Sequence, residues 1–559
     1  MASLASNRTT SAERTPLLQK PSASSPTSAP SSSNSPDSSS GTAPPYASKG
    51  AFAPYQRLLA ATFLLACAFT FTASTLLYQV RVLLCDVWYQ TRDEPLHPPG
   101  GDRCAVPELE AWTAKEIAFM VVLTTFSGVF NLITTGLVTK RYGVRLAMVF
   151  QSAFPILRLG VQSWGILHGG LEGVRALQFS QLITIGGGGA GYMLTSNTFC
   201  AELVEPEART ASFGRLQGVQ FLGTAIGLLV GGVLGARIHP IAPFLAAVIF
   251  LSLSTVVSSF FLPYIPPVVA DNAETGKAGR DTSIFAPVKV FLPRRVIKED
   301  GSLAGRWYGL SLLGIGAFVS VFATSFIPML LQLVGTNRYL FKADVNGYLM
   351  ALASLSRAGF LSLVFPRIIA AGRRWYSPSS TTSPPPSPPP EPAHIPTTAA
   401  EIEPLEPVLQ TDQVVQPAPI PPPATETRGS HFDLVFLRLS ILLDAVLTAF
   451  VPFSSQGWHL FLAAGIIPLA SGTAPAAKGV VLEMVEKHEQ ADALQGIALS
   501  ETLAMMLTIS VSGEVFAKLS ELGRGEQVFY VNAANALVAF FILLFVRFPP
   551  QRLVAPSAV

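Results

Sequence analysis

Apolar residues in this chain come in long runs separated by polar stretches. The two-residue alternation of a half-buried strand is missing, and the runs outlast the core elements of a soluble domain. Crossing a hydrocarbon core about 30 Å thick takes about 20 apolar residues of helix. Twelve runs meet that length: 58–84, 114–138, 146–167, 174–199, 213–236, 241–263, 307–331, 345–369, 432–453, 458–477, 494–516 and 528–548. Backbone polar groups in lipid must be satisfied within the segment, so each run is predicted to be an α-helix. The expected fold class is an all-α membrane protein, with twelve transmembrane helices in two six-helix bundles.

Composition narrows the function classes. Of 559 residues, 49% are hydrophobic and 13% are charged, where a soluble protein has about 25% charged residues. That balance excludes a soluble enzyme, a nucleic-acid binder and a disordered scaffold. A net charge of +3 names no partner by itself. No enzyme activity and no cofactor or metal is expected. The expected partners are the lipid bilayer, a small-molecule substrate and protons, with a monomeric chain and no nucleic acid.

Lys and Arg in short loops set orientation. With the N-terminus in the cytosol, the inward loops hold Lys140, Arg141, Arg145, Arg209, Arg215, a basic run between 277 and 306, and then Arg367, Arg373, Arg374, Arg428, Lys478 and Lys487. The other side is poorer in such residues, so both termini are expected in the cytosol. The organisation expected is a disordered cytosolic tail (1–56), an N-terminal six-helix bundle (57–263), a central cytosolic loop (264–306), spans 7 and 8 (307–370), a Pro/Ser-rich cytosolic insert (371–431), spans 9 to 12 (432–548) and a second tail (549–559).

Two segments carry a resemblance. After span 2 the chain reads Gly136-Leu-Val-Thr-Lys-Arg-Tyr-Gly-Val-Arg145, similar to the G-x-x-x-D-R-x-G-R-R loop of the major facilitator superfamily. Gly136, Arg141, Gly143 and Arg145 fit, whereas Lys140 stands where the family has Asp. Span 5 carries Gly214, Gly223, Gly227, Gly231 and Gly232 at the spacing of the superfamily's antiporter motif, with Leu228 in place of its Pro. Asn346-Gly-Tyr-Leu-Met, the 357–366 stretch and the 432–440 stretch resemble fungal members, distantly similar to tetracycline exporters and the proton-coupled folate transporter. The resemblance implies two six-helix halves that rock about a midplane substrate site.

Ionisable residues inside a bilayer are costly and are functional candidates by default. Arg357 lies in mid-span 8 and Glu501 lies about two turns into span 11, and in the family's fold both spans border the central cavity. Glu501 is the expected proton-coupling carboxylate and Arg357 the expected substrate or ion-pair cation. The alternative is a structural Arg357–Glu501 bridge. Spans 3 and 9 are peripheral in that fold, so Arg158 and Asp444 are expected in structural ion pairs within their own halves. Further cavity candidates are Tyr78, Asn131, Gln178, Gln181 and Gln220, with Gln217, Ser320 and Thr324 in the wider set. Interhelical hydrogen bonding is the competing role for each. The GGGGAG of 186–191 lacks the context of a nucleotide loop and is expected to serve close packing or flexing.

Cys85 and Cys104 flank the first non-cytosolic loop, in an oxidising compartment, and a disulfide between them is expected. Glu13, Leu17 and Leu18 resemble an acidic dileucine signal read by sorting adaptors. They make a vacuolar or endosomal membrane an equal candidate with the plasma membrane. The function expected is secondary active transport of a small organic solute by alternating access, proton-linked and leaning to antiport or efflux. The alternatives are an uncoupled facilitator, or a non-transporting sensor or scaffold that docks partners through 371–431.

Overall fold

A computed structural model describes residues 53–90, 104, 106–265, 285–297, 303–341, 343–376 and 424–549. Glu13, Leu17, Leu18, most of the insert and part of the central loop lie outside them. Among the described residues, eleven continuous stretches are long and apolar enough to cross a membrane. We number them with the interrupted fourth span: α1 Pro54–Gln90, α2 Glu108–Tyr142, α3 Val144–His168, α4 170–203, α5 Pro206–Arg237, α6 Ala242–Phe261, α7 Gly309–Tyr339, α8 Val345–Tyr376, α9 His431–Phe453, α10 Gly457–Met484, α11 Lys487–Glu521 and α12 Gly525–Leu544.

Proline opens several of these helices, at Pro54, Pro107, Pro206 and Pro243, where its missing N–H costs nothing. Gly143 joins α2 to α3 in a single residue at φ +87°, a backbone conformation that a Cβ would strain. The fourth span is broken into three pieces. It runs as Gly170–Phe179, a 3₁₀ turn Ser180–Ile185, and Gly189–Leu203.

Three further breaks fall in α1, α7 and α10. The first is kinked at Thr72, the second is interrupted at Ser325 and Phe326 ahead of Pro328, and the third passes through a 3₁₀ turn at Ile467–Ala470 around Pro468. With six spans per half, α7 corresponds to α1 and α10 to α4. The interruptions therefore recur at matching positions of the two halves.

Some boundaries differ from the sequence expectation. Trp307 does not open span 7. It ends a strand: Arg294–Ile297 (β1) and Leu303–Trp307 (β2) form an antiparallel hairpin in the central loop, where no regular structure was expected. Arg294 of the hairpin pairs with Glu489 at 2.8 Å, and Trp307 Nε1 donates to the Arg547 carbonyl. Helix also runs beyond both edges of the 371–431 insert, to Tyr376 before it and from Ala424 after it. At the other end of the bundle Cys85 Sγ and Cys104 Sγ are joined at 2.10 Å, while Cys67 and Cys200 are free and buried.

Candidate functional site

One cavity of about 220 Å³ sits at mid-depth, walled by α5, α7, α8, α9, α10 and α11. Its charged groups are Arg357, Asp444 and Glu501; Gln217, Phe221, Ser320, Thr324, Ser325 and Ser471 add to the wall. The breaks in α7 and α10 open onto it. Helix breaks free backbone polar groups, and lipid-depth proteins keep such backbone where it lines a cavity.

Arg357 is held from two sides. Its Nε donates to Ser471 Oγ at 2.9 Å, and its guanidinium lies 4.8 Å from the centre of the Phe221 ring. The Arg357–Glu501 bridge, the alternative reading of these two residues, does not form. Glu501 instead pairs with Lys478 Nζ at 3.3 Å, and that lysine side chain is only 9% exposed. Lys478 was read as a loop residue because span 10 was ended at Ala477. The helix continues to Met484, and the carboxylate compensates the cation inside it.

Asp444 is not peripheral. It lines the cavity, is 7% exposed, and interacts electrostatically with Arg357 without forming a direct ion pair. Arg158 has no carboxylate partner among the described residues. It donates to Gln181 Oε1 at 3.3 Å and lies over the Phe69 ring. The structural ion pair expected for it is absent because α3 turns it toward uncharged faces of α1 and α4.

Three other cavity candidates serve the N-terminal half. Asn131 Nδ2 donates to Gln151 Oε1, while its Oδ1 accepts from Gly191 N at 2.7 Å. Gln151 Oε1 also accepts from Gly188 N at 2.8 Å, and Gln151 Nε2 donates to Thr135 Oγ1. Side chains of α2 and α3 thus satisfy the backbone freed by the α4 break. A Cβ on Gly191 would overlap Thr135, Gln151 and Asn131 of this cluster, and one on Gly187 would overlap the Phe150 carbonyl and Phe154 of α3, so the glycines there serve close packing. Gln178 binds Glu116, which also holds Arg175 at 3.1 Å, and Gln181 serves Arg158. Gln220 and Tyr78 lie off the cavity wall; Gln217, one turn before Gln220, is on it.

The halves meet at the end of the bundle that carries Arg141, Arg209 and Arg373, here called the basic end. Thr210 Oγ1 donates to Asp433 Oδ2 at 2.6 Å. Arg373 bonds Asp433, reaches Glu483 at 3.1 Å, and donates to the Glu207 carbonyl at 2.7 Å. Gln495 Nε2 donates to the Leu132 carbonyl, against Gly136. Lys140 meets Asp492. Arg145 donates to the Ser259 carbonyl, and Arg141 is exposed beside its neighbour Tyr142.

The span-5 glycines divide by face. Gly214 packs on Phe365 of α8, whereas Gly223, Gly227 and Gly231 pack on α1, against Ala66, Thr70 and Phe71. Gly232 faces open space.

Comparison with known proteins agrees with this architecture. The Major Facilitator Superfamily profile matches residues 58–378. The major facilitator-type transporter psiT1 of Psilocybe cyanescens is 21% identical over 346 residues, which is 58% of this chain and 72% of that one. Among solved structures, the human organic anion transporter MFSD10 (TETRAN) superposes with TM-score 0.56 at 16% identity, covering 88% of this chain and 99% of its own. The E. coli fucose:proton symporter superposes with TM-score 0.59 at 11% identity, covering 89% and 99%.

Proposed function

The chain belongs to the major facilitator superfamily, and on that premise we propose that it is a secondary active transporter, moving a small organic solute through the mid-depth cavity by alternating access linked to protons. The observation that carries the reading is that the α7 and α10 breaks, whose counterparts interrupt α1 and α4, open onto a cavity that holds Arg357, Asp444 and Glu501. Interrupted spans at matching places mark binding sites in this architecture. Carboxylates at membrane depth are the chemistry a proton-linked cycle needs.

The positive-inside bias supports placing the basic end in the cytosol. In that orientation the halves are closed toward the cytosol in the conformation described. The α5 glycines have a packing role in either direction of transport. The dileucine-like Glu13, Leu17 and Leu18 support a vacuolar or endosomal membrane beside the plasma membrane as an address.

The test is flux of a metabolite and drug panel in proteoliposomes of the full chain, with and without a pH gradient. Solute flux that rises with an inward or outward gradient supports the proposal. Flux indifferent to the gradient would leave an uncoupled facilitator, and no flux of any compound would end the transport reading.

A further inference from the structure

Resting on the transport reading, we propose that the cavity takes small organic monoanions, the substrate carboxylate seating on the Arg357 guanidinium while Asp444 takes up one proton per anion bound.

The geometry supplies an anchored cation with free donors. Arg357 spends Nε on Ser471 and one face on Phe221. Its two Nη groups bond no described residue and remain open to the cavity. A guanidinium fork presented this way matches a carboxylate bidentately. Asp444 shares the wall without bonding those nitrogens directly, so a carboxylate can enter between them. Ser325 Oγ is buried and has no partner, and the Gln217 side chain bonds no described residue. Each can bind a second polar atom of the substrate. The Ser320 and Thr324 hydroxyls donate to the Gly316 and Ser320 carbonyls within α7 and Thr473 bonds Ser440, and much of the remaining wall is apolar, with Ala317, Val321, Ile467 and Met505. It offers too few partners for a polyol, whose buried hydroxyls would each need one.

Charge balance selects the sign. Glu501 is neutralised by Lys478, which leaves Arg357 and Asp444 as the pair that responds to a ligand. From α8 only Arg357 faces Asp444, and α12 presents no charged side chain within the membrane. Arg438, on the same helix as Asp444, is spent on the Leu543 and Val546 carbonyls. On α10 and α11 the nearest charges are the Lys478–Glu501 pair. An entering anion leaves one negative charge in excess, which a proton from solvent on an Asp444 oxygen removes. An entering amine leaves one positive charge in excess, and a guanidinium does not give up its proton. When the anion leaves, Arg357 again faces the carboxylate and the proton returns to water.

The test uses the purified full chain with lactate and benzoate as probes, and with lactamide, benzamide, benzylamine and xylose as comparators. Thermal melting reports binding, and a pH indicator in weak buffer reports proton uptake. Lactate or benzoate should raise the melting midpoint, with about one proton taken up per anion and an apparent Kd that weakens about tenfold per pH unit in alkaline solution. Arg357→Gln should abolish binding; Arg357→Lys, which keeps the charge beside Asp444, should weaken it about tenfold and carries the test if Arg357→Gln fails to fold. Asp444→Asn should bind the anion without proton uptake. Stabilisation by benzylamine or xylose and by neither carboxylate would overturn the proposal, as would silence of both carboxylates or proton uptake that persists in Asp444→Asn. Flux of a neutral or cationic solute without carboxylate binding would sink this proposal and spare the transport reading. Carboxylate binding without flux would do the reverse.

Discussion

Lys140 Nζ, at the end of α2, lies 2.6 Å from Asp492 Oδ1 in the first turn of α11 and joins the two halves of the bundle. The contact is too poorly aligned to count as a hydrogen bond for that oxygen, so it acts as an ion pair. Where the family loop carries an Asp, this chain carries a Lys, and α11 supplies the acid. The charge pair across the halves thus has its cation on α2 and its anion on α11.

We expect Lys140→Asp to loosen the basic end. Both side chains are nearly buried, at 11% and 7% exposed, and removing one partner of a buried pair costs about 3–5 kcal/mol. A cysteine placed on the basic face of the cavity should then react faster with a membrane-impermeant thiol reagent. The double variant Lys140→Asp/Asp492→Lys should restore most of the protection. A double variant as reactive as the single one would show that the pair does not hold the halves together.

Lys478 and Glu501 make a different prediction. Glu501→Gln strands a buried ammonium and should lower the melting midpoint by several degrees, in line with about 3 kcal/mol for an orphaned charge. Lys478→Met/Glu501→Leu should recover that stability, because well-packed apolar replacements of buried pairs are often neutral. If the double variant regains both stability and pH-driven flux, Glu501 is structural; if stability returns without flux, Glu501 belongs to the transport cycle.

The α5 glycines should separate by position. Ala at 223, 227 or 231 meets α1 backbone or side chains, and overpacking of this kind costs about 1–3 kcal/mol. Ala at 232 meets nothing within 4 Å and should fall within about 0.5 kcal/mol of the parent. Thermal melts of the four single variants decide it, and equal effects at all four would contradict the packing described.

Reduction of Cys85–Cys104 should cost about 3 kcal/mol, the chain-entropy value for a loop of about 20 residues. A Cys85→Ser/Cys104→Ser chain should melt lower than the parent and show no further response to reductant. A parent indifferent to reductant would place the loop's stability elsewhere.

The bundle was readable because lipid imposes one length and one backbone solution on every span. The cavity was only partly readable. Arg357 and Glu501 stand out as charges in apolar runs, yet a span apolar on all faces gives no signal for its rotation, and so Asp444 was placed on the periphery. Lys478 was lost because a lysine ends an apolar run on paper. Its partner Glu501 is 23 residues further along, on another helix. Asn131 looked like a cavity residue because a polar side chain at depth reads alike whether it meets a solute or a broken backbone. The glycines at 186–188, two spans away, were the clue to its role.

Arg373 gives the meeting of the two halves a built-in asymmetry. Its partners Asp433 and Glu483 belong to its own half, and its bonds to the Glu207 carbonyl and to Thr210 Oγ1, both to uncharged atoms, reach across. When the halves part there, Arg373 and its two acids travel together. Lys140 and Asp492 must separate, since each rides on a different half. Salt should therefore ease the swing between the two faces through the rupture of Lys140 from Asp492, while Arg373 keeps its pairing with Asp433 and Glu483.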